Sequence, residues 1–474
     1  MKHYDAAIIG FGKGGKTLAG ALAAEGKNVA VIEQSPRMYG GTCINVACIP
    51  TKTLVHAAAL SQAQGGTFAE RAARYAAAID EKDRVTGMLR GKNYHKIADL
   101  PNVDVIDGRA SFVDATHLAI EPAAAADATT AATTDAAADA TSAAPQQIEA
   151  DRIFINTGAR PFVPPIPGID SPRVFVSETL LDLRDLPERF VIIGGGYIGL
   201  EFASLYANFG SQVTVVQDTE EFIPREDAAI AASVLASLEN RGIRVVRSAR
   251  VVRIDREAAQ DAVVVEVAGT EERIPADAVL VATGRRPNVE GLALDAAGVE
   301  LTERGAVRAD EHLRTTAPNI HAMGDVVGGL QFTYISLDDF RIVKDDLLGD
   351  GARTTENRGA VPYSVFLDPP FSRVGMTEQE ARDAGFVVNV AELPAAAIPK
   401  AQLLGKPVGL LKAVVDADTD RLLGVHLFCE ESYEMINTAK LAIDAGLPYQ
   451  TLRDAIYTHP TMSEAFNDLF AAVR

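Results

Sequence analysis

Apolar positions along the chain gather into short runs that end on glycine. Residues 6–15 read Ala-Ala-Ile-Ile-Gly-Phe-Gly-Lys-Gly-Gly, a strand-like run closed by Gly10-x-Gly12-x-x-Gly15. Residues 190–199 read Phe-Val-Ile-Ile-Gly-Gly-Gly-Tyr-Ile-Gly, which gives Gly194-x-Gly196-x-x-Gly199. A helical pattern and a second apolar strand follow each of them, Val29 to Glu33 in one and Val213 to Gln217 in the other. From first glycine to strand end is 23 positions in both cases, Gly10 to Glu33 and Gly194 to Gln217. One such glycine pattern is weak evidence. Two of them, each inside a strand–turn–helix–strand unit of the same length, predict two Rossmann-like nucleotide-binding domains. The glycines let backbone N–H groups at a helix N-terminus come close to a pyrophosphate.

A second element repeats as well. Ile153-Phe-Ile-Asn-Thr157-Gly158 matches Val279-Leu-Val-Ala-Thr283-Gly284, and each reads as the return strand of its nucleotide domain. A third apolar run, Asn319 to Met323, ends in Gly324-Asp325. From about residue 356 the pattern changes to strands and amphipathic helices without a glycine fingerprint, which predicts a separate α+β domain. Residues 121–147 hold no Leu, Val, Phe or Ile. Such a segment has little to bury against its ordering entropy, so it reads as a mobile surface insertion between two strands.

Composition narrows the function classes. The chain has 474 residues, 47% hydrophobic and 23% charged, which suits two or three globular domains and excludes collagen, coiled coil and wholesale disorder. With 45 basic and 64 acidic residues the formal charge is −19. That surface repels phosphate backbones and anionic lipid heads, so neither nucleic acid nor membrane is expected as a partner. Three cysteines are too few for an extracellular disulfide framework. The N-terminus shows no leader pattern, and no run has some twenty bulky apolar residues. These features together lead to the expectation of a cytoplasmic protein.

The candidate chemistry lies at two places. The first is Gly40-Gly41-Thr42-Cys43-Ile44-Asn45-Val46-Ala47-Cys48-Ile49-Pro50-Thr51-Lys52. Five residues apart in an ideal helix, Cys43 and Cys48 have Cα atoms roughly 8.6 Å apart, too far for a disulfide. A bridge needs a distorted first turn, which Pro50 helps to produce. A strained pair at a helix N-terminus is expected to have lowered thiol pKa values and a reducible bond. Two unrelated thiols, or a zinc site with His56 as the one close further ligand, are the other readings. Lys52 follows Cys48 by four residues and shares its face on a continuing helix. The second place is His459-Pro460-Thr461-Met462-Ser463-Glu464. A thiol that attacks substrate must lose and regain a proton, which a histidine can accept, and Glu464 could fix its tautomer. A turn histidine is the plainer reading. Cys429, in the run Val425 to Cys429, reads as a buried strand thiol, with a regulatory thiol as the alternative.

The stretch from Gly40 to Lys52, with the N-terminal glycine pattern, resembles the class I pyridine nucleotide–disulfide oxidoreductases. That group includes glutathione reductase, dihydrolipoamide dehydrogenase and mercuric reductase. Within it, residues 38–56, 332–342 (Phe-Thr-Tyr-Ile-Ser-Leu-Asp-Asp-Phe-Arg-Ile) and 459–464 are similar to RclA-type flavoproteins. These are linked to defence against reactive chlorine species and described as copper(II) or hypothiocyanous acid reductases. Ala47 departs from the family's usual glycine.

The resemblance implies an FAD-dependent enzyme that takes electrons from NADH or NADPH through a redox-active Cys43–Cys48 disulfide. Gly10, Gly12 and Gly15 would hold the FAD pyrophosphate, Glu33 the adenosine ribose and Asp325 the ribityl chain, with Gly41, Thr42, Thr157 and Gly158 lining the cofactor. Gly194, Gly196, Gly199, Gln217 and Gly284 would line the nicotinamide nucleotide. Cys48 would lie against the flavin, Cys43 would meet substrate, and Lys52 would pair with Glu201. His459 would act from the opposite subunit of a homodimer, supported by Glu464. The domains implied are residues 1–168 and 287–355 for FAD, 169–286 for NAD(P)H and 356–474 for dimerisation. No resident metal is expected. The anticipated substrate is a small oxidant, hypothiocyanous acid or Cu(II). The alternative is a low-molecular-weight disulfide reductase or dihydrolipoamide dehydrogenase. The ten residues after Glu464 hold no cysteine pair of the kind mercuric reductases use as a relay. A non-catalytic subunit would be expected to have lost Cys43, Cys48 or His459, and all three are present.

Overall fold

Strand β1 (Lys2–Ile9) is apolar on both sides from Ala6 onward and is buried there, as is β2 (Val29–Glu33) throughout. Strands buried on both faces belong inside a parallel sheet, because helices must cover both sides. The computed structural model describes residues 1–122 and 146–474 and shows that arrangement. β1 pairs in parallel with β2, and β2 with the first half of β3 (Val103–Phe112). On its other edge β1 pairs in parallel with β5 (Gln146–Ile155), which in turn pairs with Ile320–Ala322. Strand β4 (His117–Pro122) bridges the second half of β3 and the start of β5 in antiparallel fashion. The expected insertion at 121–147 lies, apart from its end residues, outside the described residues.

Two compact units divide the chain. One comprises Met1–Thr51, Asp80–Phe162 and Arg285–Arg358; the other comprises Lys52–Ile79, Val163–Gly284 and Gly359–Arg474. The first is built on the sheet just described, with helix α1 (Lys13–Ala24) packed beside it through Leu18, Ala19 and Leu22.

The second unit repeats the motif. Its parallel sheet runs Arg244–Val246, Gln212–Val216, Arg189–Ile193, Ala278–Val281 and Val174–Val176 in spatial order. Helix Tyr197–Phe209 follows the glycine turn and buries most of its length. A three-stranded antiparallel sheet, Ala249–Arg256, Asp261–Val267 and Thr270–Ala276, is inserted before the return strand. The C-terminal part is a five-stranded antiparallel sheet, Tyr363–Val365, Phe371–Gly375, Leu422–Phe428, Leu410–Asp416 and Val388–Pro394. Helix Ser432–Asp444 packs on it through Met435, Ile436 and Ala439. The architecture is α/β with two Rossmann-like sheets and a C-terminal α+β part, as the hydrophobic pattern predicts.

Among the described residues one run, Thr42–Gln64, is long and apolar enough to cross a membrane by length and composition. Much of its apolar content is alanine, and it carries Lys52 and a break between two helices.

Candidate active site

In the first unit the glycine turn is shaped by close backbone approach. Gly10 has φ +106°, and a Cβ there would stand 2.4 Å from the Asn156 carbonyl oxygen. A Cβ on Gly15 would meet the Gly10 carbonyl oxygen at 2.7 Å. Gly12 is the N-cap of α1 and has no side chain to cap it; Gly14 N donates instead to Ser336 Oγ at 3.1 Å, and the Asn156 side-chain oxygen accepts from Gly12 N (3.2 Å) and Gly15 N (3.3 Å). A Cβ at Gly12 would lie 2.7 Å from the Asn156 side-chain amide. The Gly41 backbone, at φ +81°, comes down onto the Cα of Gly12, 2.7 Å from where a Gly41 Cβ would be. Glu33 is buried at the end of β2 and accepts from Phe11 N (3.0 Å) and Ser35 N (3.2 Å). Burial pushes its carboxyl above the usual range. Thr157 donates to the Asn288 carbonyl (2.7 Å), and Gly158 turns the chain at φ +72°. Asp325, its carboxyl raised by burial against the opposing charge of Arg285, is the last of the residues predicted to line the cofactor in this unit. A helix N-terminus built of glycines, a floor that a methyl would obstruct and a buried carboxylate fit a dinucleotide pyrophosphate and its ribose.

The cysteines lie on two helices. α2 (Thr42–Asn45) begins at its N-cap Gly41, and α3 (Cys48–Gln64) begins at Cys48 itself. The break falls at Val46–Ala47, where Val46 has φ −140°. This corrects the expected cause: Pro50 sits in the first turn of α3, where a missing N–H disrupts nothing. Ala47 is not among the residues with positive φ, so losing the family's glycine strains nothing there. Both residues are thiols, with a side-chain hydrogen bond between them. The Cys43 thiol is pushed well up, first by that bond and then by burial; Thr333 and Lys16 oppose the rise. This reverses the lowered value expected from helix position alone: beside a second sulfur, one thiol keeps its proton. Cys48 Sγ lies 3.8 Å from Thr333 Oγ1. Burial, and then the charge of Cys48, raise Tyr334. Among the described residues no group of three or more His, Cys, Asp or Glu side chains is placed to hold a metal, so the zinc reading lacks its ligand set.

The second unit holds the other predicted residues. Gly194 has φ +115°, with a Cβ 2.4 Å from the Ala282 carbonyl oxygen, and a Gly199 Cβ would meet the Gly194 carbonyl oxygen at 2.2 Å. Gly196, the N-cap of helix Tyr197–Phe209, has nothing within 4 Å of its Cβ position. Gly284 turns at φ +114°. Gln217 is buried, and its amide donates to Thr219 O (3.0 Å), Thr219 Oγ1 (3.0 Å) and Glu221 O (2.9 Å). Lys52 Nζ donates to Glu201 Oε2 at 2.6 Å and lies 4.6 Å from the centre of the Phe366 ring. Glu201 Oε1 accepts from Phe366 N at 2.9 Å. His459 Nδ1 lies 2.7 Å from Glu464 Oε2, with the ring exposed. Cys429 is buried one residue past its strand, 3.9 Å from Met435 Sδ, and burial raises its thiol.

Sequence reasoning missed several neighbours. Thr333 and Tyr334 fall in the 332–342 stretch, which was noticed as a pattern without a role. Ser336, in the same stretch, accepts from Gly14 N at 3.1 Å. Arg247 donates to the Glu220 carbonyl at 3.3 Å and puts a cation beside the loop of Asp218, Glu220 and Glu221. The parallel register of Val246 on Val216 places residue 247 there, and register is not visible without the fold. Lys16 has no sequence signal of its own beyond a charged position in the first glycine-turn helix.

Known proteins give the site a context. A family model described as "Pyridine nucleotide-disulphide oxidoreductase" matches residues 4–339, and its dimerisation-domain model matches residues 361–470. The chain is 49% identical to "Probable pyridine nucleotide-disulfide oxidoreductase RclA" of Escherichia coli (strain K12), over 100% of both chains. It is 33% identical to a mercuric reductase of Lysinibacillus sphaericus, over 98% of this chain and 81% of that protein. It is 32% identical to a dihydrolipoyl dehydrogenase of Mycobacterium leprae, over 99% and 98%. Among solved structures it is similar to the Cu(II) complex of the HOCl-induced flavoprotein disulfide reductase RclA from Escherichia coli. There the TM-score is 0.90 with 49% identity, over 100% of both chains.

Proposed function

The chain belongs to the pyridine nucleotide-disulphide oxidoreductase family, and on that premise we propose that it is an FAD-dependent NAD(P)H oxidoreductase that reduces a small oxidant through Cys43 and Cys48. The family makes it a flavin- and pyridine-nucleotide-using enzyme with a dimerisation domain. The observation that carries the finer reading is the cysteine pair: two thiols joined by a hydrogen bond, on separate helices, in the unit that also holds the first glycine cradle.

Bound in that cradle, FAD supplies the relay that moves an electron pair from the nicotinamide to sulfur. Gly10, Gly12 and Gly15 hold its pyrophosphate, Glu33 and Asp325 its hydroxyls, and Gly41, Thr42, Thr157 and Gly158 its surroundings. Residues 1–168 and 287–355 form the flavin domain, 169–286 the nicotinamide domain and 356–474 the dimer domain. Gly194, Gly196 and Gly199 receive the nicotinamide nucleotide, with Gln217 and Gly284 beside it. Gln217 supplies neither a carboxylate for ribose hydroxyls nor a cation for a 2′-phosphate, and its neighbours Asp218, Glu220 and Glu221 are acidic. NADH is the preferred donor and NADPH is usable.

Cys43 attacks the electrophilic sulfur of hypothiocyanous acid. A bond forms between the two sulfurs and hydroxide leaves, taking a proton to become water. Cys48 then attacks Cys43 sulfur, thiocyanate leaves and the disulfide closes. With Cu(II) as acceptor, two cupric ions each take one electron from the dithiolate and leave as cuprous. His459 of the partner subunit, oriented by Glu464, exchanges the proton of Cys43. The Lys52–Glu201 ion pair contributes a fixed charge, partly shielded from water. Support for this acceptor class comes from the 49% identical relative, an HOCl-induced flavoprotein disulfide reductase whose structure was solved as a Cu(II) complex.

The test is kcat/KM for hypothiocyanous acid, Cu(II), glutathione disulfide and lipoamide on one preparation. Hypothiocyanous acid is expected to lead, Cu(II) to follow and the two disulfides to be turned over poorly. Efficient turnover of glutathione disulfide or lipoamide would replace this reading with the general disulfide-reductase one.

A further inference from the structure

We propose that Lys16 is the positioning cation of Cys43, fixing the turn that carries this thiol and favouring its thiolate form. This rests on the reading of Cys43 as the substrate-facing sulfur. Lys16 lies in α1, one turn after the Gly12 N-cap, and its ammonium donates to the Gly40 carbonyl (3.3 Å) and to Asn93 Oδ1 (2.5 Å). Asn93 is itself held on α4 (Phe68–Ala98) by its donation to the Leu89 carbonyl at 2.7 Å. Gly40 begins the two-glycine turn, φ +99° and +81°, that leads directly into Thr42 and Cys43. An ammonium has three N–H donors, and two of them are accounted for by these acceptors. The cation is therefore pinned beneath the segment that presents Cys43, and its charge and that of Cys43 act on each other.

The groups around the two partners come from four elements. Cys43 meets Cys48 of α3, Thr333 and Lys16. Lys16 meets Lys13 of its own helix, Lys96 and Asn93 of α4, and Cys43. Burial, and then the repulsion of Lys13, bring Lys16 down to about 8, while Cys43 pulls it the other way. The sign follows. Below that value Lys16 is charged and favours the Cys43 thiolate; above it the support is lost.

The test is the rate of iodoacetamide alkylation at Cys43, read by peptide mass spectrometry on the NADH-reduced holoenzyme across neutral and alkaline pH. Lys16→Met should slow Cys43 alkylation roughly tenfold at neutral pH, where Lys16 is charged, and leave the rate near that of the wild type once the pH is well above 8, where Lys16 is neutral. Lys16→Arg, which stays charged, should keep the neutral rate and leave the midpoint of the alkylation profile at or below that of the wild type. An unchanged neutral-pH rate in Lys16→Met with flavin retained would overturn the proposal. If Lys16→Met does not fold, a midpoint in Lys16→Arg above that of the wild type does so instead. Loss of the reading beneath it looks different: acceptor turnover then survives Cys43→Ser while the alkylation profile still depends on Lys16.

Discussion

The two glycine turns share a plan and differ in how tightly each is closed. In both, the first glycine meets a return-strand carbonyl at 2.4 Å from its Cβ position, and the third meets the carbonyl of the first. The middle glycine separates them. Gly12 is crowded by Asn156, and the Gly41 backbone lies on its Cα, whereas Gly196 has an open Cβ position. Strand ends differ in the same sense. Glu33 accepts from backbone N–H groups of Phe11 and Ser35, while Gln217 donates to backbone carbonyls of its own loop. A turn overlaid by a second loop suits a cofactor that stays, and an open turn suits one that leaves each cycle. On the proposed function, the same local motif serves a resident nucleotide in the first unit and a visiting one in the second.

The largest effect that could break this contrast is a methyl group placed at each middle glycine. Gly12→Ala must displace Asn156 in a buried setting, so it should lower the thermal midpoint and release flavin on gel filtration. Gly196→Ala has a permitted φ of −79° and open space. Its thermal midpoint should stay at the wild-type value while the KM for NADH rises. Equal losses of stability in the two variants would erase the distinction.

A smaller change concerns the strand ends. Gln217→Glu puts a carboxylate against the carbonyls of Thr219 and Glu221, leaving it without those donations at a cost of about 1–3 kcal/mol. Chemical denaturation should show that loss, and kcat/KM for NADPH should fall more than for NADH. The wild type should favour NADH; a tenfold preference for NADPH would contradict the role given to this loop.

The smallest effect sharpens the contrast through pH, because Glu33 titrates and Gln217 does not. Burial raises the folded Glu33 carboxyl above its ordinary value of 4.5. Its favourable contribution is full below that ordinary value and is lost as pH rises through the folded value. The thermal midpoint of the wild type minus that of Glu33→Gln should therefore move in favour of the wild type on acidification from neutral pH. Movement the other way would show that the carboxylate is stabilised by its two N–H donors more than burial costs it.

Much of this was legible in the chain. The glycine spacing and apolar runs foretold both parallel sheets, because period and turn chemistry are local. The pairing of Lys52 with Glu201 came from family resemblance, since 149 positions separate the two. The break at Val46–Ala47 was not legible: proline is the evident helix disruptor in that stretch, and neither Val46 nor Ala47 is a residue type that marks a helix end. The rise of Cys43 was misjudged because helix position was weighed without the neighbouring sulfur. Arg247 and Lys16 were missed for a shared reason, as each acquires meaning only from register or from a contact across distant segments.

The central claim is that Cys43 is the sulfur that meets the oxidant and Cys48 the one that resolves the adduct. Steady-state reduction of hypothiocyanous acid by NADH, compared between the wild type and Cys43→Ser with flavin content matched, tests it most directly. The account predicts that Cys43→Ser still binds flavin and loses turnover by at least about a hundredfold, as expected when a nucleophile is removed. Turnover in Cys43→Ser equal to that of the wild type would contradict it.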